Sequence, residues 1–375
     1  MFGVAFEMRT ALLFFFTLIF STACGQSQDD GPVTLESIRK NAKVPALGVI
    51  AIVDGEIQPA EVTGLRKYKG SEAVTADDKW HIGSCTKSMT ATLAATFVEE
   101  GKLKWETTVD EILGLDIKIP DEGKGITLYM LVSNRSGIPG SAPSKTWSNA
   151  WETNLKPDLE KRRLDYVESM LNEALDFQPG TKYAYSNSGF VVAGAMLATV
   201  GGKSWEALMK ERIFKPLEMN SAGFGGAAGK GKEDQPWGHH SPTKPQEPGP
   251  KDDNPDVLGP AGTVHVSLGD LAKYVRMHAT HEIGPVLKEP ETFTFLQSIA
   301  EENDGNYACG WNILERGWAQ GPALMHNGSN TMNYCVIWMA PNRKFAAIAV
   351  SNTGPEDAAK AADQAVSEIA MKKLK

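Results

Sequence analysis

Three serines in this chain stand three residues ahead of a lysine: Ser37 before Lys40, Ser84 before Lys87, and Ser241 before Lys244. Side chains three apart on a helix share a face, so the amine can reach the hydroxyl and take its proton. That is the activation an alcohol nucleophile needs. The spacing is cheap, and alone it does not separate a catalytic pair from a coincidence. Two further patterns bear on the choice. Tyr185-Ser186-Asn187 is the only Tyr-x-Asn in the sequence. His326-Asn327-Gly328-Ser329 lies between two predicted strands, and a second His-x-Gly begins at His81, directly ahead of Ser84.

The elements that must carry these residues favour Ser84. From Ser84 to Glu100 a helical period places Met89, Leu93 and Phe97 on one face, with Gly101 at the C-terminal end. Ser37 precedes the first predicted strand, and Ser241 falls in a proline-rich loop where no helix can fix its lysine. Near the N-terminus, "VTLESIRKN" predicts a short helix. After it, "ALGVIAIVDGEIQPAEVTG" predicts two strands around an Asp54-Gly55 turn. Residues 105–220 read as mainly helical with several loops, one of them holding Trp147 and Trp151 as packing residues. Residues 223–262, rich in Gly, Pro, Lys and Asp, are the least regular stretch, which in a compact domain marks a functional or mobile loop. The last third returns to strands in "ACGWNILE", "PALMHNG", "TMNYCVIWMAP" and "FAAIAVSN", then an alanine-rich helix to Lys375. Strands near both ends with helices between predict an α/β (α+β) architecture: an antiparallel sheet flanked by helices, with a mostly helical insert. The expected sheet domain is 33–80 with 263–375, and the insert, 81–262, carries the Ser-x-x-Lys and Tyr-x-Asn patterns.

Composition narrows the function classes. With 375 residues, 42% hydrophobic and 22% charged, the chain is globular and long enough for a large core. A formal net charge of −8 argues against nucleic acid, and no basic stretch suits an anionic membrane surface. His239-His240 with Asp234, and His278 with His281, match no metal-ligand spacing, so neither metal nor cofactor is expected. At the N-terminus, Ala11 to Phe20 is an apolar run shorter than the ~20 residues of a membrane span, followed by small residues. This predicts a signal segment over 1–23, with Met8 an alternative start, and a polar tether over 24–32. Cleavage after Ala23 leaves Cys24 first, which resembles a bacterial lipoprotein signal in which that cysteine takes the lipid. Ser21 departs from the leucine usual three residues before it. The expectation is an exported protein of the periplasm or cell envelope, lipid-anchored through Cys24 or otherwise secreted. The remaining Cys85, Cys309 and Cys335 form no disulfide framework and read as buried thiols, Cys85 included despite its place beside Ser84.

Taken in order, Ser-x-x-Lys, Tyr-x-Asn and His-x-Gly-Ser resemble the serine β-lactamase and penicillin-binding-protein superfamily. The likeness is to the branch of class C β-lactamases, D-Ala-D-Ala carboxypeptidases and related esterases. "LVSNRSGIPG" is similar to a family segment, with Asn134 and Arg135 departing from it, and "FQPGTKYAYSNSGF" and "GPAGTVHVSLGDLAKY" follow in the family's order. The resemblance spans residues 35–370. It implies a β-lactamase-like fold and an acyl-enzyme mechanism without cofactor. Ser84 would be the nucleophile, Lys87 its proton acceptor, and Tyr185 would share a proton with Lys87 and protonate the leaving group. Asn187 would anchor Lys87 and the substrate amide. The oxyanion would lie between the backbone N–H groups of Ser84 and of Ser329, which follows Gly328. His326 and Asn327 stand where relatives carry lysine and threonine, which weakens the expectation of carboxylate recognition. His326 would act either as a cation or as a neutral hydrogen-bond partner of Tyr185. A small ester, a peptide or a β-lactam is the expected substrate. The alternative from another class is a non-catalytic exported binding or sensor protein that keeps the fold.

Overall fold

Long apolar runs at both ends of the chain share one sheet. The computed structural model describes residues 33–299 and 305–374, so the expected signal segment, Cys24 and the tether lie outside the described residues. Strands β1 (Ala46–Val53), β2 (Glu56–Ile57) and β3 (Glu61–Gly64) come from the N-terminal end. Short strands follow at β4 (Lys79–His81), β5 (Gly223–Phe224), β6 (His239–Ser241), β7 (Lys244–Pro245) and β8 (Val264–Ser267). The C-terminal third supplies β9 (Asn312–Arg316), β10 (Gly321–Gly328), β11 (Tyr334–Ala340) and β12 (Phe345–Ser351). A seven-stranded antiparallel sheet runs β2-β1-β12-β11-β10-β9, with β3 also paired to β1. The register sets Ile50 opposite Ile348 and His326 opposite Ile337.

Both faces of this sheet are covered, which is why β1 and β12 are apolar at every position but the terminal Ser351 rather than alternating with polar residues. Leu47, Val49, Ala51, Val336, Ala347 and Ala349 pack under the helices Leu35–Ala42 and Pro355–Ala365. Small alanines on the second helix let it lie close to the strands. Ile50, Ile52, Ile337, Ile348 and Val350 face the other way and share one core with Met89, Leu93, Phe97, Phe190 and Val275 from the helical part. The helices Thr86–Glu99 and Asn187–Gly201 therefore stand on the sheet through packed side chains, and the site they carry is fixed to it.

Local departures from the sequence reading have local causes. Asp54 and Gly55 both take positive φ, 52° and 83°, as a tight hairpin turn requires. The returning strand then breaks after Ile57, because Pro59 lacks the N–H a ladder needs. Pairing resumes at β3, opposite the start of β1. Trp147 and Trp151 are not in a loop but on the helix Ser144–Thr153, with ring centroids 6.1 Å apart, edge to face. The 223–262 stretch contains β5, the β6–β7 hairpin and a helical turn at Gly259–Gly262. Strands β4, β8 and β5 form a separate three-stranded sheet that delivers the chain to Ser84.

Candidate active site

From Trp80 to Phe97 every residue is buried except Ser84. Strand β4 ends at His81, and the turn Gly83–Cys85 then lifts Ser84 to the surface before the helix Thr86–Glu99 begins. Gly83 has φ +51°, and a methyl group there would stand 2.2 Å from Ser329 N. A methyl on Gly328 would stand 2.0 Å from Ile82 O and 2.5 Å from Ser84 N. The end of β10 and the serine turn thus meet backbone to backbone, which only two glycines permit. Ser84 N and Ser329 N are brought to one place by this contact, as an oxyanion site demands.

One helical turn on, Lys87 is fully buried. Its Nζ lies 3.1 Å from Ser84 Oγ, 2.7 Å from Asn187 Oδ1 and 2.7 Å from the carbonyl of Ala261. The amide oxygen and the carbonyl can only accept, so they take two N–H groups of the amine. In its neutral form the amine then has a lone pair left for the Ser84 hydroxyl. Burial pulls the amine down to about 7, so the neutral form is well populated at physiological pH. Pro260 O is held by Thr90 Oγ1 at 2.7 Å, which fixes the turn that presents the Ala261 carbonyl.

Asn187 opens the helix Asn187–Gly201, whose N-cap Ser186 accepts from Gly189 N at 3.0 Å. Asn134 clamps the approach: its Oδ1 accepts from Ser186 N, and its carbonyl from Ala184 N, each at 3.0 Å. Asn134 sits at φ +59°, a conformation asparagine tolerates better than most residues. Tyr185 is thereby held over the site. Its phenol lies beside Ser84, and Lys87 Nζ is 4.8 Å from its ring centroid. Burial pushes the Tyr185 phenol above its ordinary value. The phenol is therefore protonated at neutral pH.

The hydrogen bonds of His326 do not go to Tyr185. Its Nδ1 lies 2.6 Å from Asn327 O, and its Nε2 lies 3.0 Å from the Tyr307 hydroxyl. A carbonyl accepts, so Nδ1 carries a proton, while the Tyr307 hydroxyl can donate to Nε2 or accept from it. The imidazole's partner is Tyr307, not Tyr185, whose ring centroid stands 6.5 Å away. Tyr307 is buried against Tyr183, Tyr185 and His326, and burial holds its phenol protonated, well above the usual value. Sequence patterns gave no sign of Tyr307, which lies in no motif, and marked Asn134 only as a departure within "LVSNRSGIPG"; both act through contacts made by the fold.

The other sequence candidates are accounted for by local structure. Ser37 closes a capping box with Thr34, and Lys40 pairs with Glu36 at 3.2 Å. Ser241 and Lys244 face each other across the β6–β7 hairpin. Cys85 is buried with its Sγ 3.6 Å from His326 O, on the inner side of the turn. Cys309 and Cys335 are also free and buried. His239 accepts from Tyr68 N and contacts Asn352 O, while His278 meets Thr92 and Gln297. Among the described residues no group of three His, Cys, Asp or Glu is placed to hold a metal ion.

Comparison with known proteins gives a consistent picture. The sequence profile described as Beta-lactamase matches residues 34–370. The chain is 25% identical over 353 residues to Penicillin-binding protein 4 of Amycolatopsis lactamdurans, covering 85% of this chain and 84% of that one. It is 27% identical over 328 residues to Unguisins hydrolase ungD' of Aspergillus campestris, covering 83% of this chain but 59% of the longer relative. Among solved structures, the octameric penicillin-binding protein homologue from Pyrococcus abyssi superposes with a TM-score of 0.70 at 25% identity. That match covers 87% of this chain and 76% of that one. SurE, at 19% identity and the same TM-score of 0.70, shares the fold over 87% of this chain and 72% of its own.

Proposed function

The chain belongs to the Beta-lactamase family, within the serine β-lactamase and penicillin-binding-protein superfamily, and from that premise we propose an acyl-enzyme hydrolase acting through Ser84. Ser84 Oγ attacks the acyl carbon of an ester or amide while its proton passes to neutral Lys87. The oxyanion is met by the N–H groups of Ser84 and Ser329. Tyr185 gives its proton to the leaving group, and water then releases the acyl group by the reverse sequence. The observation that carries this reading is the buried Lys87 amine, whose two fixed acceptors leave its lone pair for Ser84.

At the far side of the oxyanion site stands an imidazole whose two ring nitrogens are already engaged by Tyr307 and the Asn327 carbonyl, where relatives present a cation to a carboxylate. This favours esters or amides without a carboxylate at that point over β-lactams and D-Ala-D-Ala peptides. A screen of p-nitrophenyl esters, nitrocefin and D-Ala-D-Ala peptides checks the preference. Turnover of the last two alone would reverse it.

Ser84→Ala should lower kcat by about 10³–10⁶ and abolish fluorophosphonate labelling while leaving the fold intact. If Ser37→Ala or Ser241→Ala abolished turnover and Ser84→Ala did not, the assignment would be wrong. Silence of wild-type Ser84 toward both fluorophosphonate and fluorescent penicillin would favour a binding or sensor role. We also propose export with lipid on Cys24, supported by the apolar run and small residues ahead of it. The wild type should partition with detergent and Cys24→Ser should not; a wholly soluble wild type sinks the anchor.

A further inference from the structure

The two backbone walls of the oxyanion site come from segments far apart in sequence, and glycine contact alone does not bond them. A polar bridge spans them just behind. His81, the last residue of β4, is 5% exposed, and its Nδ1 accepts from Gly83 N–H at 3.2 Å. The peptide it grips is the one before the peptide that carries Ser84 N–H. On the other edge of the ring, Nε2 lies 2.8 Å from Asp253 Oδ1. Asp253 is itself 6% exposed, and the same oxygen accepts from Asn330 Nδ2 at 3.1 Å and from Asn254 N at 2.7 Å. Asn330 directly follows Ser329, and its own Oδ1 accepts from Met332 N and Asn333 Nδ2.

We propose that His81 and Asp253 are a positioning couple that ties the Ser84 turn to the Ser329 turn and so sets the spacing of the two oxyanion donors. The inference rests on the hydrolase reading above. Three features support it. Because Nδ1 accepts from an amide N–H, the proton of the neutral ring is on Nε2, on the side of the carboxylate. Nε2 and the carboxylate oxygen stand 2.8 Å apart without the alignment of a hydrogen bond. Asp253 Oδ2, buried, has no hydrogen-bond partner among the described residues. A carboxylate sequestered this way is costly for stability alone. One carboxylate oxygen gathers both arms, so a shift on either side is transmitted to the other. Neither residue touches the reacting atoms; their effect is on geometry, to which acyl transfer is sensitive.

The test compares Asp253→Asn, His81→Asn and Asn330→Ala in the full chain, using an activated ester, a boronic acid that forms a tetrahedral adduct on Ser84, and thermal melting. His81→Asn keeps an acceptor near the Nδ1 position but gives up the carboxylate contact. Each variant should lower kcat about 10–100-fold with KM within about twofold, and weaken the boronate by a similar factor. The losses in a His81→Asn/Asn330→Ala double variant should fall short of their product, because both arms act through Asp253. If Asp253→Asn fails to fold, Asn330→Ala still trims one arm and carries the same expectation. Unchanged kcat, a rise confined to KM, or activity loss that follows melting while boronate affinity holds would each overturn the proposal. A wild type that neither turns over ester nor labels at Ser84 would overturn the hydrolase reading instead, before any variant is made.

Discussion

At the scale of single residues, Lys87 controls the pH behaviour of both activity and stability. Its folded value of about 7 lies below the ordinary lysine value, so the base is neutral only above that pH. Activity, as kcat/KM, should therefore rise between pH 6 and 8. The same shift fixes the sign for stability. Between about pH 7 and the unfolded value near ~10.4, the unfolded chain holds a proton that the folded chain has released, so stability rises with pH. Relative to Lys87→Met, the wild type should gain about 1.4 kcal/mol per pH unit across that window, read by urea unfolding at pH 7, 8 and 9. Parallel curves for the two proteins would show that the amine is not held neutral. That Ser84, Lys87, Tyr185 and Asn187 would come together was legible in the sequence because each sits in a short pattern at fixed spacing. Tyr307, Asn134 and Asp253 were not, since their partners are reached only across the folded chain.

At the scale of elements, the decisive event is the contact between the end of β10 and the turn before the helix Thr86–Glu99. Gly328 is there because a methyl group would press on three backbone atoms that have no rotamer to escape through. Gly328→Ala should destabilise by about 1–3 kcal/mol and lower kcat more than a remote substitution of equal cost. Melting and steady-state kinetics test this, and a variant matching wild type in both would mean the two elements are less tightly packed than described. Strand and helix positions were largely visible in apolar periodicity, including β9 to β12 and the serine helix. Where the sequence misled, a specific residue intervened. Pro59 broke the expected second strand, and a helix starting after Pro143 took up tryptophans that had been placed in a loop. The irregular 223–262 stretch offered no period to read, yet it supplies the Ala261 carbonyl and Asp253.

At the scale of the whole molecule, the sheet is closed by its last strands. β1 pairs with β12 from Leu47 to Ile52, while β2 and β3 offer it only short partners. A fragment of residues 33–311 keeps β1 and the serine helix but lacks β9 to β12, so it should show no cooperative melt by circular dichroism. A sharp transition in that fragment would mean the helical part folds by itself. The general architecture was legible because strands cluster at both ends of the chain; which strand neighbours which was not, since register depends on packing against both helical layers. This arrangement also sets a timetable for synthesis. Ser84 leaves the ribosome early, whereas Gly328 and Ser329 follow only when most of the chain has been made. A nascent chain therefore carries its attacking hydroxyl for most of translation with no partner wall beside it. On the proposed mechanism, reactivity would arrive only with completion, and a truncated product would be released inert.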